Sequence, residues 1–415
     1  MPRTGRATRI GAVVTAAALA LSLAACAPDS GPTVDLPAQV DAAFGDDTQA
    51  QLQAAVDRAV AASGASGALV GVWAPWAGTW LSAEGTVAPG AAGVDAGASF
   101  TAGSITRAMT CDVLYGLVAD GVVKLEDSVS TYVSGVPALE GITLAQLCNS
   151  TSGLAPYTPA VFNRIIATPE RAWNARELVG YGITRPGTAA GSFADSDTGY
   201  ALLGIALERA SRESMEALYA RYVFDPIGMP DTSLPASAAA TVHGLWSPNN
   251  AEGAVECAAP VDLGDLSPTV ANTAGGVVSD LEDLGRYTQA LALGARAYDK
   301  GDRFEAPLPA AGDAASWFTA TGGTYQAGTL VGQYGSVPGF LTAAFADRNT
   351  GMTIVVALNN SRASDVLVRA LAWELAAITS KAPAAAGHTA PDAGLPWTAE
   401  DMGAQVTAAA VCPIP

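Results

Sequence analysis

Leu52, Ala55, Val56, Ala59 and Val60 fall at the i, i+3, i+4, i+7 and i+8 positions of one helical face, and Gly64 and Gly67 stop that helix. The period then changes. Gly67 to Trp73 and Thr79 to Leu81 read as two strands around a Pro75-Trp76-Ala77-Gly78 turn. Helical spacing returns from Ser104 to Asp120, with Gly121 as its stop, and a short helix is expected over Leu144 to Cys148. Tyr200 to Ala210 and Met215 to Phe224 predict two more helices, closed by Asp225-Pro226 and Gly228, and Leu281 to Leu293 a further one. Leu341 to Phe345 and Met352 to Leu358 are apolar runs around Arg348-Asn349-Thr350-Gly351, the pattern of a hairpin, and a helix from Asp365 to Ile378 follows. Strands at both ends with helices between them predict an α/β (α+β) fold, its sheet built from the two termini and a mostly helical subdomain inserted. No repeat period is present, which excludes a solenoid.

The first 25 residues are set apart. Arg3, Arg6 and Arg9 precede an apolar run of 14 residues, Ile10 to Leu23, too short to span a bilayer, which takes ~20 residues. Small residues follow, as before a signal-peptide cut. The ending Leu23-Ala24-Ala25-Cys26 resembles the bacterial lipobox, which implies a lipidated Cys26 and an exported chain held on the outer face of the cell membrane. Residues 26–46, with Pro, Gly, Asp and Ser and little periodicity, are expected to be a tether. The main body is 47–380, and 381–415 is an Ala/Pro-rich extension. Export implies an oxidising compartment. Cys111, Cys148, Cys257 and Cys412 allow three pairings among which sequence does not choose; 111–148 with 257–412 is the working expectation, and four free thiols the alternative.

Composition narrows the function. Half of the 415 residues are hydrophobic, which supplies a large core and excludes general disorder. A net charge of −18 argues against nucleic acid as a partner. The two histidines, His243 and His388, lie outside every motif below, so a Ser-His-Asp triad is not supported. No Cys-x-x-Cys pattern and no other metal-ligand spacing occurs, and no cofactor is implied.

Five stretches, in order over about residues 48 to 380, resemble the serine β-lactamase and D-alanyl-D-alanine carboxypeptidase superfamily, in its class C β-lactamase-like, penicillin-binding-protein-like branch. They are Phe100 to Arg107, Leu147 to Leu154, Phe193 to Leu203 with Phe224 to Met229, Ala274 to Leu284, and Gly332 to Phe340. The resemblance implies an antiparallel β-sheet flanked by helices beside a mostly helical subdomain. It also implies a cleft between them, Ser104 at the nucleophile position, and the backbone N–H groups of Ser104 and Ser336 as an oxyanion hole on a strand with Gln333 and Gly335.

The chemistry departs from that family. Its Ser-x-x-Lys becomes Ser104-Ile105-Thr106-Arg107, and no Ser-x-x-Lys stands elsewhere in the chain. Arginine stays protonated in proteins, so Arg107 cannot take the Ser104 proton. The family's Tyr-x-Asn becomes Asp195-Ser196-Asp197, and its His-x-Gly or Lys-Thr-Gly becomes Gln333-Tyr334-Gly335. Arg107 is expected to pair with Asp195 or Asp197 across the old cleft. This reads as a lipoprotein with impaired or lost acyl-serine chemistry, a pseudoenzyme binding a cell-wall peptide or a small neutral or cationic molecule. The alternative is an active serine hydrolase, of esterase or peptidase type, in which Asp195 serves as a non-standard base for Ser104.

Overall fold

Period-two alternation in the strands decides where the two cores form. The computed structural model describes residues 1–2, 34–236, 240–299, 302–392 and 394–414; Cys26 and the expected leader lie outside them. The chain divides into Met1–Gly31 and Pro32–Pro415, and everything below concerns the second unit.

Strands β1 (Gly67–Ala74), β2 (Gly78–Gly85), β3 (Leu308–Pro309), β4 (Phe318–Thr321), β5 (Thr324–Ala327), β6 (Leu330–Val337), β7 (Phe340–Asp347) and β8 (Thr353–Leu358) form one antiparallel sheet. Its order is β2-β1-β8-β7-β6-β5-β4-β3. On β8, Ile354, Val356 and Leu358 face one core while Val355 and Ala357 face the other. The first core is covered by α1 (Asp46–Ser63), together with α8 (Asp365–Thr379) and α9 (Ala399–Ala408), which come from the far end of the sequence. Against the second core pack α2 (Ile105–Ala119) and α7 (Leu281–Ala292). The same core extends into the helical subdomain, built from α3 (Leu144–Cys148), α4 (Thr158–Ala167), α5 (Ala175–Ile183) and α6 (Asp197–Ser211).

One expectation at the ends of the body is corrected. Residues 34–45 do not hang as a tether: Phe44 is buried, Val34 and Leu36 pack on the core, and Thr79 N–H donates to Ala42 O at 2.9 Å. Scattered apolar residues there bury themselves without any regular period. The extension at 381–415 is tied to the body. The Trp397 indole stacks on Trp373 at 4.8 Å and donates to its carbonyl at 2.9 Å, Trp76 Nε1 donates to Ala382 O, and Cys412 is bonded to Cys257.

The expected helix at 215 to 224 runs on to Ile227 through a π-helical stretch, Ala220–Phe224. Pro226 has no N–H to give the Tyr222 carbonyl, and a widened turn relieves the ring's clash with it. That carbonyl instead accepts from Tyr298 Oη at 2.7 Å.

Behind α2 lies a sealed ionic cluster. Asp112 accepts from Arg296 Nη1 at 2.9 Å and Nη2 at 3.0 Å, from Arg303 Nη1, and from Tyr287 Oη at 2.8 Å. Asp299 takes further donors of both arginines. Arg303 also donates to the carbonyls of Ala108 and Gly322, so the cluster grips the nucleophile-bearing helix from behind.

Asp283, near the start of α7, is buried and lies close to Asp280 and Asp231; burial first, then those carboxylates, pushes its pKa up to about 6. The folded state therefore holds a proton there that the unfolded chain releases near pH 4. Stability from this residue is present below about pH 4, is lost as pH rises to 6, and is flat above. Its two acceptor contacts, from Asp231 N–H and Thr232 Oγ1, both use Oδ2, so asparagine keeps them. Asp283→Asn is expected to be more stable than the native chain at pH 7.5, by up to roughly 3 kcal/mol. It should also flatten urea-unfolding stability between pH 4 and 6; an unchanged slope counts against this.

Candidate functional site

The turn into α2 places Ser104. Gly103 sits at φ +59°, where a Cβ would lie 2.7 Å from Thr342 Oγ1, so the position needs glycine. Ser104 is the N-cap of α2 but makes no capping hydrogen bond with its side chain. A serine there ordinarily uses its hydroxyl on the N2 or N3 N–H. Here Oγ lies against β6 instead, and a Cβ on Gly335 would come within 2.2 Å of it. Gly335 thus makes room for the hydroxyl. Ser104 is 2 % exposed, and among the described residues its Oγ is without a hydrogen-bonding partner.

Register places Ser336 at an open edge. Val337 and Phe340 close the two-residue Pro338-Gly339 hairpin between β6 and β7. Antiparallel alternation then turns the backbone of Gly332, Tyr334 and Ser336 away from β7. Gly332 pairs with Tyr325 of β5, Tyr334 N–H donates to Gln333 Oε1 at 2.9 Å, and β5 ends before Ser336. The Ser336 N–H therefore faces outward next to the Gly335–Ser104 contact. Gln333 is spent on its own surroundings: it is buried, and its Nε2 donates to Gly323 O at 3.0 Å.

One turn into α2, Arg107 occupies the position where a base is needed. It is buried, its Nη1 donates to both carboxylate oxygens of Asp195, its Nε donates to Ala274 O at 3.1 Å, and its guanidinium lies 5.3 Å from the Tyr200 ring centre. Burial works against its charge, but Asp195, Tyr200 and Asp197 together outweigh burial and hold its pKa above the ordinary arginine value. Between the two expected partners the structure selects Asp195. Asp197, the first residue of α6, docks elsewhere: its carboxylate accepts Tyr157 N–H at 2.7 Å, Thr158 N–H at 3.1 Å and the Thr158 hydroxyl. Burial nonetheless raises its pKa.

Two tyrosines that sequence reasoning missed stand at the site. Tyr200 Oη donates to Cys148 O at 2.8 Å and is pushed up to about 12, by burial first and Asp195 second. Tyr157 Oη donates to Val270 O at 2.6 Å and is raised further by burial. Each hydroxyl keeps its proton and gives it to a carbonyl, so neither is placed to act as a base. Tyr200 could have been found from its place three residues after Asp197 on one helix; Tyr157 carries no comparable signal.

Cys111, one turn beyond Arg107, is bonded to Cys148 at the end of α3. The bond fixes the Asn149–Ser150 turn, where Asn149 Oδ1 accepts Gly322 N–H at 2.7 Å and Ser150 (φ +52°) donates its hydroxyl to Tyr200 Oη at 3.3 Å. The Cys257–Cys412 bond, His243 (paired with Asp262 at 3.1 Å) and His388 do not line the cleft. Among the described residues no cluster of His, Cys, Asp and Glu is arranged to hold a metal ion.

The cleft itself has a volume of about 230 Å³. Pro156 to Pro159 form one wall, Ser336 to Pro338 the other, and Arg107, Asp195 and Asp197 also line it. One turn past Pro159, Phe162 meets Trp246 edge-on at 4.7 Å. Trp246 adjoins Leu245, whose N–H donates to Gly339 O, so this aromatic contact joins the two walls.

Comparison with known proteins agrees with this geometry. Residues 52–378 match the family model described as Beta-lactamase. D-alanyl-D-alanine-carboxypeptidase/endopeptidase AmpH of Escherichia coli K12 is 32% identical over 142 residues; the match covers 32% of this chain and only 36% of that protein's length. Among solved structures, a D-stereospecific amidohydrolase from Streptomyces sp. superposes with a TM-score of 0.65 at 22% identity, covering 75% of this chain and 94% of that one. The octameric penicillin-binding protein homologue from Pyrococcus abyssi gives a TM-score of 0.67 at 18% identity over 80% and 77%. At these identities the two structures establish a shared fold.

Proposed function

Since this chain belongs to the β-lactamase family, we propose that it is a cell-envelope lipoprotein whose cleft binds a small ligand and whose Ser104 is no longer an efficient acyl acceptor. The observation that carries the reading is the Arg107–Asp195 ion pair. Acylation requires a group that accepts the serine proton in the transition state, a contribution of about 10²–10⁴ in rate. A guanidinium cannot accept a proton, and the carboxylate beside it is engaged with that guanidinium. Lipidation at Cys26 and residence on the outer face of the membrane rest on the leader-like first 25 residues. The name of the AmpH relative is consistent with descent from a cleft that handled cell-wall peptides.

A second reading has one observation in its favour. Ser104 Oγ lies against Gly335 beside the outward Ser336 N–H, an arrangement that preserves the oxyanion hole, and such a hole accelerates acyl transfer even when a triad member is missing. In that reading the chain is a serine hydrolase with a non-standard base. The test is labelling of the full chain with a fluorophosphonate and a fluorescent penicillin, beside Ser104→Ala. No adduct from either reagent on folded protein is the expected result. An adduct lost in Ser104→Ala overturns the proposal in favour of the hydrolase.

A further inference from the structure

The charge and shape of the cleft define what it can hold. It is lined by one cation and two carboxylates. Arg107, that cation, already gives Nη1 to Asp195 and Nε to Ala274 O, so an incoming carboxylate has to compete with Asp195 for its charge. Of the two acids, Asp197 is occupied by three donors and buried. Asp195 differs: its side chain is 45% exposed, and both oxygens share the same Arg107 nitrogen. A carboxylate has about four lone-pair sites, so Asp195 keeps acceptor capacity on the cleft side. From α8, Asp365 and Arg369 also lie within electrostatic range and carry opposite charges.

Next to the cleft, and sharing Val270, Ala271, Val337 and Pro338 with it, lies a second cavity of about 40 Å³. Its further lining is mainly apolar, including Val242, Leu263, Leu266 and Phe340. That volume corresponds to about three water-sized spheres, enough for a short branched alkyl group and too small for a ring system. A mainly apolar niche opening beside a cleft that holds a half-exposed carboxylate is a two-point recognition surface.

We propose that the site takes a small ammonium-bearing molecule with a short branched alkyl group, the ammonium on Asp195 and the alkyl group in the niche. This assignment rests on the reading that the cleft binds rather than acylates, and it names the ligand class. An ammonium gains a charge-assisted hydrogen bond to Asp195. Burial of each methylene in the niche contributes about 0.8 kcal/mol.

The test uses the full chain and three probes of graded chemistry at pH 7: isobutylammonium, isobutyrate and methylammonium, followed by ligand-observed NMR titration. The expected result is saturable binding of isobutylammonium at least about tenfold tighter than methylammonium, a difference of ~1.4 kcal/mol, with no saturable binding of isobutyrate. Asp195→Asn should weaken isobutylammonium about tenfold or more; if that variant does not fold, the wild-type comparison of opposite charges on one carbon skeleton decides alone. Isobutyrate binding as tightly as isobutylammonium, equal affinity for the two ammonium ions, or no binding at 50 mM of any probe (roughly a hundredfold weaker than the millimolar fragment range) would each overturn it. Failure of the underlying reading looks different: a fluorophosphonate adduct on Ser104 sinks the binding-only role whether or not isobutylammonium competes, and absence of both adduct and ammonium binding sinks only the ligand class.

Discussion

Arg107→Lys combined with Asp195→Tyr is expected to make Ser104 react with fluorophosphonate or penicillin about a hundredfold or more faster than the native chain, the range in which a positioned base contributes. Neither change should do this alone. A lysine at 107 beside Asp195 would keep its proton, because the adjoining carboxylate that now pairs with Arg107 would favour the ammonium. Removing Asp195 while keeping arginine leaves a buried guanidinium that never deprotonates. Only the double change puts a desolvated amine beside Ser104 without its nearest counter-charge, Asp195, and burial then works toward the neutral base against the remaining field of Asp197. The half-exposed position of Asp195 gives a larger ring an outlet toward solvent. Asp197 stays docked on Tyr157 and Thr158 and is not part of the exchange. Labelling rates of the two single variants and the double variant form a cycle whose coupling should be large and positive. A double variant that is folded yet inert, or an Arg107→Lys variant that matches it, would count against the proposal that the ion pair suppresses acylation.

Asp112→Ala should destabilise the protein by about 3–5 kcal/mol, the cost of leaving buried charge uncompensated. Arg296 and Arg303 would then share only Asp299 among themselves, all three without access to solvent. Tyr287 Oη would lose its acceptor as well. Urea denaturation measures the loss directly. Arg221→Ala is the control: its pairs with Asp120 and Glu213 are exposed on both sides and screened by solvent, so a loss of about 1 kcal/mol or less is expected. Equal losses in the two variants would mean that the cluster behind α2 behaves as a surface pair and does not brace the helix.

Elements with a clear period are legible in the sequence alone. Helix α2, the β7–β8 hairpin and α8 are buried almost throughout, and their long, largely apolar runs identify each element. Helices α4 and α9 carry no such run, and their signals are of another kind. Helix α4 opens with Thr158-Pro159, with proline in the first turn, and α9 with a capping box from Thr398 to Asp401. Both are ten residues long, and only two residues of each are buried, too few for a stripe. At the site, the presence of a permanently charged side chain at 107 is visible from the sequence alone, because it depends on a residue type. The choice of Asp195 over Asp197 is not visible there. It is settled by Tyr157 and Thr158, whose N–H groups occupy Asp197 and which lie some forty residues away in sequence. The ionic cluster escapes for the same reason: Arg296, Asp299 and Arg303 stand at i,i+3 and i,i+4 spacings after α7, but nothing local joins them to Asp112 on α2.

The sheet order has a consequence for how the chain comes into being. β1 pairs with β8 and β2 lies outside β1, so the two earliest strands have no other place in the sheet. A growing polypeptide therefore carries β1, β2 and α1 with their apolar faces open until Thr353–Leu358 has been made. The covalent link from Cys257 waits longer still, for Cys412. Such long-range pairings are slow to close, and completion of the sheet has to await the arrival of β8.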